Sequence, residues 1–157
     1  MDTLAQELAL LQDQGARRIA ILGSRHVPVV AIHLIELIAR SLAQEGHSLV
    51  TSGAQGVNAA VIRGVLAVDS SKLTVLLPQS LSRQGPEIRD QLESVLHLIE
   101  KPEHDDLPLP MASSLCNQDI ITRCDQLICL AFHDSETLLA SCRSCLLYTS
   151  PSPRDPH

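Results

Sequence analysis

This sequence predicts an α/β fold, a doubly wound parallel sheet in a single domain, and three observations carry that expectation. Short apolar runs alternate with helix-length segments along most of the chain. Residues 19–25 (IAILGSR) and 49–56 (LVTSGAQG) each run an apolar strand into a Gly/Ser turn that opens a helix. A third strand-to-helix turn, His133 to Thr137, follows the apolar run 126–132. Turns of this kind collect at the carboxyl ends of parallel strands, where such sheets hold their ligands.

Taken in order, Asp2 or Thr3 caps a first helix over residues 1–15, with Leu4, Leu8 and Leu11 on one face and Gly15 as its stop. The continuous apolar run 18–22 is a buried strand. Pro28 stands near the start of a helix that runs to Glu45 and ends at Gly46. Its polar stripe of His33, Glu36, Arg40 and Gln44 is narrow, so the helix should be mostly buried, in part by a second subunit, which makes a homodimer one expectation. Strands follow at 48–51 and 73–77, the latter closed by Pro78, with a helix over 57–68 between them. Beyond Gly85-Pro86, residues 87–96 read as a helix and 97–99 as a short strand, before a polar loop over 101–110 with three prolines. Ser113 or Ser114 then caps a helix to Arg123. The Rossmann-like domain so described spans residues 16–144. Residues 145–155 (CLLYTSPSPRD) read like a translated sequencing adapter, so 145–157 is expected to be a non-native, disordered tail on a domain cut short near Ser144; the alternative, a natural Pro/Ser tail, would be disordered as well.

The 157 residues, 45% hydrophobic and 19% charged, suit one sizeable core. No apolar run approaches the roughly 18 to 20 residues of a membrane span, and the start of the chain lacks the form of a signal peptide, so a cytoplasmic protein is expected. The net charge of -6 argues against non-specific nucleic-acid binding while leaving room for a local basic pocket. Phe132 and Tyr148 are the whole aromatic set, too little for a base-stacking platform. The five cysteines are expected to be reduced, and the C-x-x-C pair Cys142/Cys145 has no second pair to complete a metal site. The seven histidines suggest no ligand set either, His33 and His47 reading as surface positions. Neither metal nor cofactor is expected.

The two Gly/Ser turns point to phosphate chemistry. Small residues let backbone N–H groups approach an anion, and the positive end of the following helix favours negative charge there. The candidate binding residues are Gly23, Ser24 and Arg25 in the first turn; Ser52, Gly53, Ala54, Gly56 and Asn58 in the second; and Asn117, Ser135 and Thr137 from later turns. Each has a plainer alternative: the glycines as tight-turn and packing residues, Ser24 and Ser135 as helix caps, Arg25 in a surface salt bridge, Asn117 in capping or turn duty.

The stretches Gly23 to Arg25 (GSR), 51–66 (TSGAQGVNAAVIRGVL) and 134–138 (DSETL) resemble the Rossmann-type domain of the DNA-processing protein A (DprA/Smf) family, over roughly residues 18–143. The resemblance implies a non-enzymatic role in transformation: binding single-stranded DNA and helping to load a recombinase. Asn58 stands where the family has Asp, Ile62 where it has His, and Ser52 where it has Gly, while the family's Arg-Asn-Arg helix start is met by Cys116-Asn117-Gln118 or, in the neighbouring register, by Asn117-Gln118-Asp119, without either arginine. The wider superfamily includes lysine-decarboxylase-like nucleotide phosphoribohydrolases; the turn FHDSETLLA keeps their Thr at Thr137 but lacks their Gly pair and catalytic Glu. The expectation is a phosphate-bearing ligand bound without being transformed, single-stranded DNA first and a small nucleotide second. Nucleotide hydrolysis ranks third, for the case that another acid such as Glu87 reaches the pocket.

Overall fold

A computed structural model describes residues 3–6, 15–131 and 140. Its five strands are β1 (Arg18–Gly23), β2 (Ser48–Ser52), β3 (Leu73–Leu76), β4 (His97–Ile99) and β5 (Gln126–Leu130). They form one parallel sheet in the order β4-β3-β2-β1-β5. Between them run α1 (Val29–Gln44), α2 (Val57–Leu66), α3 (Pro86–Leu92) and α4 (Leu109–Thr122). Successive crossovers step from β1 out to β4, and the last returns past them to pair β5 with β1, Ile21 opposite Ile128. That reversal makes the sheet doubly wound.

The period of two along each strand sorts side chains into two cores. Ile19, Ile21, Leu49, Leu73 and Val75 face α1, α2 and α3, whereas Ala20, Leu22, Val50 and Leu76 face Cys116 and Ile120 of α4. Right-handed crossovers require this division, because helices that wind outward and the helix that winds back must lie on opposite faces.

Three local expectations change. The turn after β1 does not lead directly into a helix: residues 25–28 intervene, and Pro28 occupies the N-cap of α1. α3 stops at Leu92, short of the expected Leu96. α4 begins at Leu109 instead of near Ser113, since Pro110 sits in the first turn, where a helix has no use for the missing N–H. Within the single chain α1 keeps an exposed outer stripe, with Val30 81%, Leu34 57% and Leu37 58% accessible, so this chain by itself does not bury most of the helix.

Two side-chain expectations change as well. His47 is 2% exposed, and its Nδ1 accepts a hydrogen bond from the Arg17 N–H at 3.1 Å. Burial is the main force holding its pKa below the ordinary value. Cys129 on β5 is disulfide-bonded, against the expectation of reduced thiols. Of the first helix, residues 3–6 are described and helical, with Leu4 packed on the core. The turn containing Ser135 and Thr137, and the segment 145–157, lie outside the described residues. No helix among the described residues is long and apolar enough to cross a membrane.

Candidate functional site

The first two turns are built against each other. Ser24 donates its N–H to the Leu130 carbonyl of β5 at 3.2 Å and accepts at its own carbonyl from the Val57 N–H, the first residue of α2, at 3.0 Å. Between them Gly56 has φ +76° and ψ -124°, and a Cβ there would overlap the carbonyl groups of Ser24 and Arg25. Only glycine fits. A Cβ on Gly23 would likewise overlap Val57, and one on Gly53 the Leu77 side chain. These glycines set how closely the turns nest, and through Gly56 they fix where the Arg25 backbone lies.

Thr51 and Asn58 lock the base of the second turn from inside. The Thr51 Oγ1 lies 2.7 Å from the Ile21 carbonyl and 2.9 Å from the Asn58 carboxamide. A hydroxyl has one proton to give, so the Ile21 carbonyl oxygen and the Asn58 Oδ1 share the Thr51 Oγ1 as alternative acceptors. Asn58 is 4% exposed, so its position serves the turn.

Beyond the carboxyl ends of β2 and β3 lies a cavity of about 290 Å³. The second turn gives Ser52, Ala54 and Gln55 to its wall, and Arg25 reaches it from the first. The opposite wall comes from the segment after β3, with Pro78, Gln79, Arg83 and Gln84, and from α3 with Ile88; α4 adds Leu109 and Ser113. The charged residues among the described lining are two arginines, and neither forms an ion pair among the described residues.

That opposite wall is held by the loop after β4. Asp105 accepts from the Ser80 N–H at 2.8 Å and from the Ser80 Oγ at 2.6 Å, and Glu100 accepts from the Leu81 N–H at 2.7 Å. The Ser80 hydroxyl first, then its N–H, holds the Asp105 carboxyl below the usual carboxylate range. Arg89 donates to the Ser82 and Gln84 carbonyls at 3.1 and 2.8 Å, closing the segment from the α3 side. The acidic loop that the sequence marks as too polar for the core thus fixes one side of the cavity.

Of the sequence-derived candidates, the cavity gathers Arg25, Ser52 and Ala54. Gly23, Ser24, Gly53, Gly56 and Asn58 shape the adjoining turns without lining it. Asn117 lies in the middle of α4, half-buried, since that helix begins eight residues earlier in the chain at Leu109. Its neighbour Cys116 is 2% exposed, and burial, with the Asp119 charge adding to it, pushes the thiol up to about 12. Cys116-Asn117-Gln118 is therefore no helix start, and an arginine at Cys116 would bury a charge. Sequence reasoning missed Gln79, Arg83 and Gln84. The signal available was a third strand ending in Pro78, one more carboxyl end where ligands collect.

A family model described as DNA recombination-mediator protein A matches residues 7–101, which hold the turns after β1, β2 and β3. The chain is also similar in structure to DNA processing protein A from Helicobacter pylori, described for its unique single-stranded DNA binding mode. The TM-score is 0.69 at 24% identity, covering 88% of this chain and 64% of that one. DNA processing protein A (DprA) from Streptococcus pneumoniae follows with a TM-score of 0.63 at 18% identity, covering 88% and 49%. The chain thus spans less than two-thirds of the length of either. No curated protein matches it. The resemblance read from the Gly/Ser turns is borne out, as is the Rossmann-like fold.

Proposed function

The chain belongs to the DNA recombination-mediator protein A family, and from that premise we propose that its cavity binds single-stranded DNA, taking one nucleotide of the strand inside and its phosphates at the rim. The observation that carries the reading is the pair Arg25 and Arg83, the charged residues of the described lining in a chain of net charge -6. A guanidinium offers a planar fork of donors that matches phosphate, and two of them on opposite walls can hold consecutive phosphates. Pro78, Ile88 and Leu109 give the base an apolar surface where aromatic side chains are lacking. In this reading the strand is bound and not transformed, with Cys116 a protonated core thiol rather than a nucleophile, and is passed on to a recombinase.

A small-nucleotide ligand is the second reading, favoured by the cavity's 290 Å³, the low end of ligand pockets that run from roughly 300 Å³ upward. Binding of a labelled oligonucleotide by fluorescence anisotropy, at several salt concentrations and against a panel of mononucleotides, separates the two. A strand crossing several phosphates gives a log-log salt slope of about -0.7 per contact, whereas one nucleotide gives a shallow slope. Arg25→Ala and Arg83→Ala should each weaken oligonucleotide binding by about tenfold, the loss of a charged hydrogen bond, and each should flatten the slope by about one contact. Unchanged affinity in the double variant would overturn the assignment of the cavity.

A further inference from the structure

Gln79 is the one carboxamide of the cavity wall whose orientation the fold dictates. It is 7% exposed, and its Nε2 donates to the His104 carbonyl at 3.1 Å and to the Leu107 carbonyl at 3.2 Å. Both amide protons are therefore committed to the loop after β4, with the Asp105 carbonyl 3.5 Å away on the same side. A flipped carboxamide would set its oxygen against three carbonyl oxygens. The Oε1 is thereby left as an acceptor on a cavity-lining side chain, with no donor to it among the described residues. The oxygen is not among the buried side-chain atoms of the described residues left without a partner, so solvent reaches it and a ligand that brings an N–H can take the place of that water.

Gln55 is exposed and Gln84 half-exposed, so either carboxamide can turn to offer donor or acceptor as a ligand requires. Gln79 cannot turn. A fixed acceptor reads hydrogen-bond donors, and base edges differ in this respect: cytosine presents an amino group at N4 and adenine one at N6, where thymine and uracil present the O4 oxygen. The ring N–H of uracil lies between two carbonyl oxygens, so an acceptor that reaches it approaches groups of its own partial charge.

We propose that the pinned Gln79 carboxamide makes this cavity select bases bearing an exocyclic amino group over uracil and thymine. The proposal rests on the single-stranded DNA reading given above and adds to it a base preference, set by one acceptor whose direction the 104–107 loop determines.

The test compares an oligodeoxycytidylate with an oligodeoxyuridylate of equal length, at equal salt, on the full chain. The two strands share backbone charge and differ at the base edge. The deoxycytidylate should bind about tenfold tighter, with the same salt slope, because the phosphate contacts are unchanged. Placing two methyl groups on N4 of the cytosines removes the donor protons and should bring affinity down to the deoxyuridylate level. Gln79→Met should abolish the preference, so that the two homopolymers bind it alike. Because that variant also releases the loop, the dimethylcytosine strand gives a test in which the protein is untouched. Equal binding of the two homopolymers, or undiminished binding of the methylated strand, would overturn the base preference and leave the DNA reading standing. Failure of both strands to bind would overturn the two together.

Discussion

Replacing Gly56 by alanine tests how the first two turns hold the cavity's shape. At φ +76° and ψ -124° the residue occupies a region that L side chains rarely enter, at a cost of roughly 1 to 3 kcal/mol. The added Cβ also overlaps the Ser24 and Arg25 carbonyl groups, so the turns must separate. Separation breaks the bond from the Val57 N–H to the Ser24 carbonyl, now 3.0 Å, which contributes a further 0.5 to 1.5 kcal/mol or so. The two effects together come to about 3 kcal/mol, or a midpoint lowered by about 6 to 12 °C in a chain of this size. Gly46→Ala supplies the control: φ there is +96°, yet nothing lies within 4 Å of the added Cβ, so it should lose the backbone term alone, about 1 to 2 kcal/mol. Thermal and urea unfolding followed by circular dichroism measure both. A Gly56→Ala midpoint equal to that of Gly46→Ala would refute the turn-on-turn contact, and an unchanged midpoint would refute the backbone argument too. Gly56→Ala should also weaken oligonucleotide binding, since it moves the Arg25 backbone.

Burial lowers the folded pKa of His47, so the unfolded chain binds a proton that the folded chain resists. Stability is then full above the unfolded value near 6.5 and is lost as pH falls from there toward the lower folded value. Midpoints measured across that range should fall less steeply for His47→Gln than for the parent, and equal slopes would contradict the buried neutral histidine. Cys116, with its thiol pushed up to about 12 and its Sγ 3.4 Å from the Leu76 carbonyl, should resist iodoacetamide in the native protein at about pH 8 and react in concentrated urea. Mass mapping that finds Cys116 alkylated without denaturant would place it outside the core. Cys116→Arg should fail to fold while Cys116→Ala stays folded with a loss of about 1 to 2 kcal/mol, a difference that circular dichroism reads directly.

What the sequence by itself determined is local. The apolar runs at 18–22, 48–51 and 73–77 become β1, β2 and β3 because a strand buried on both faces needs continuous apolar residues, whatever surrounds it. The Gly/Ser turns, and with them Arg25, Ser52 and Ala54, were legible because close approach of backbones leaves few residue types to choose from. Only the tertiary structure decided the rest. Ser80 and Asp105 meet across 25 residues of chain because β3 and β4 pair side by side, and that meeting, with Gln79 on the carbonyls beyond, builds the far wall of the cavity. The reversal to β5 lays α4 over the second face and sinks Cys116 into it, which no pattern within α4 announces. His47 reads as a surface residue after Gly46 until the Arg17 N–H, 30 positions earlier, closes over it. Turns and periodicity follow from bonds between near neighbours, whereas a cavity wall, a buried thiol and the direction of one carboxamide follow from which strands lie next to one another.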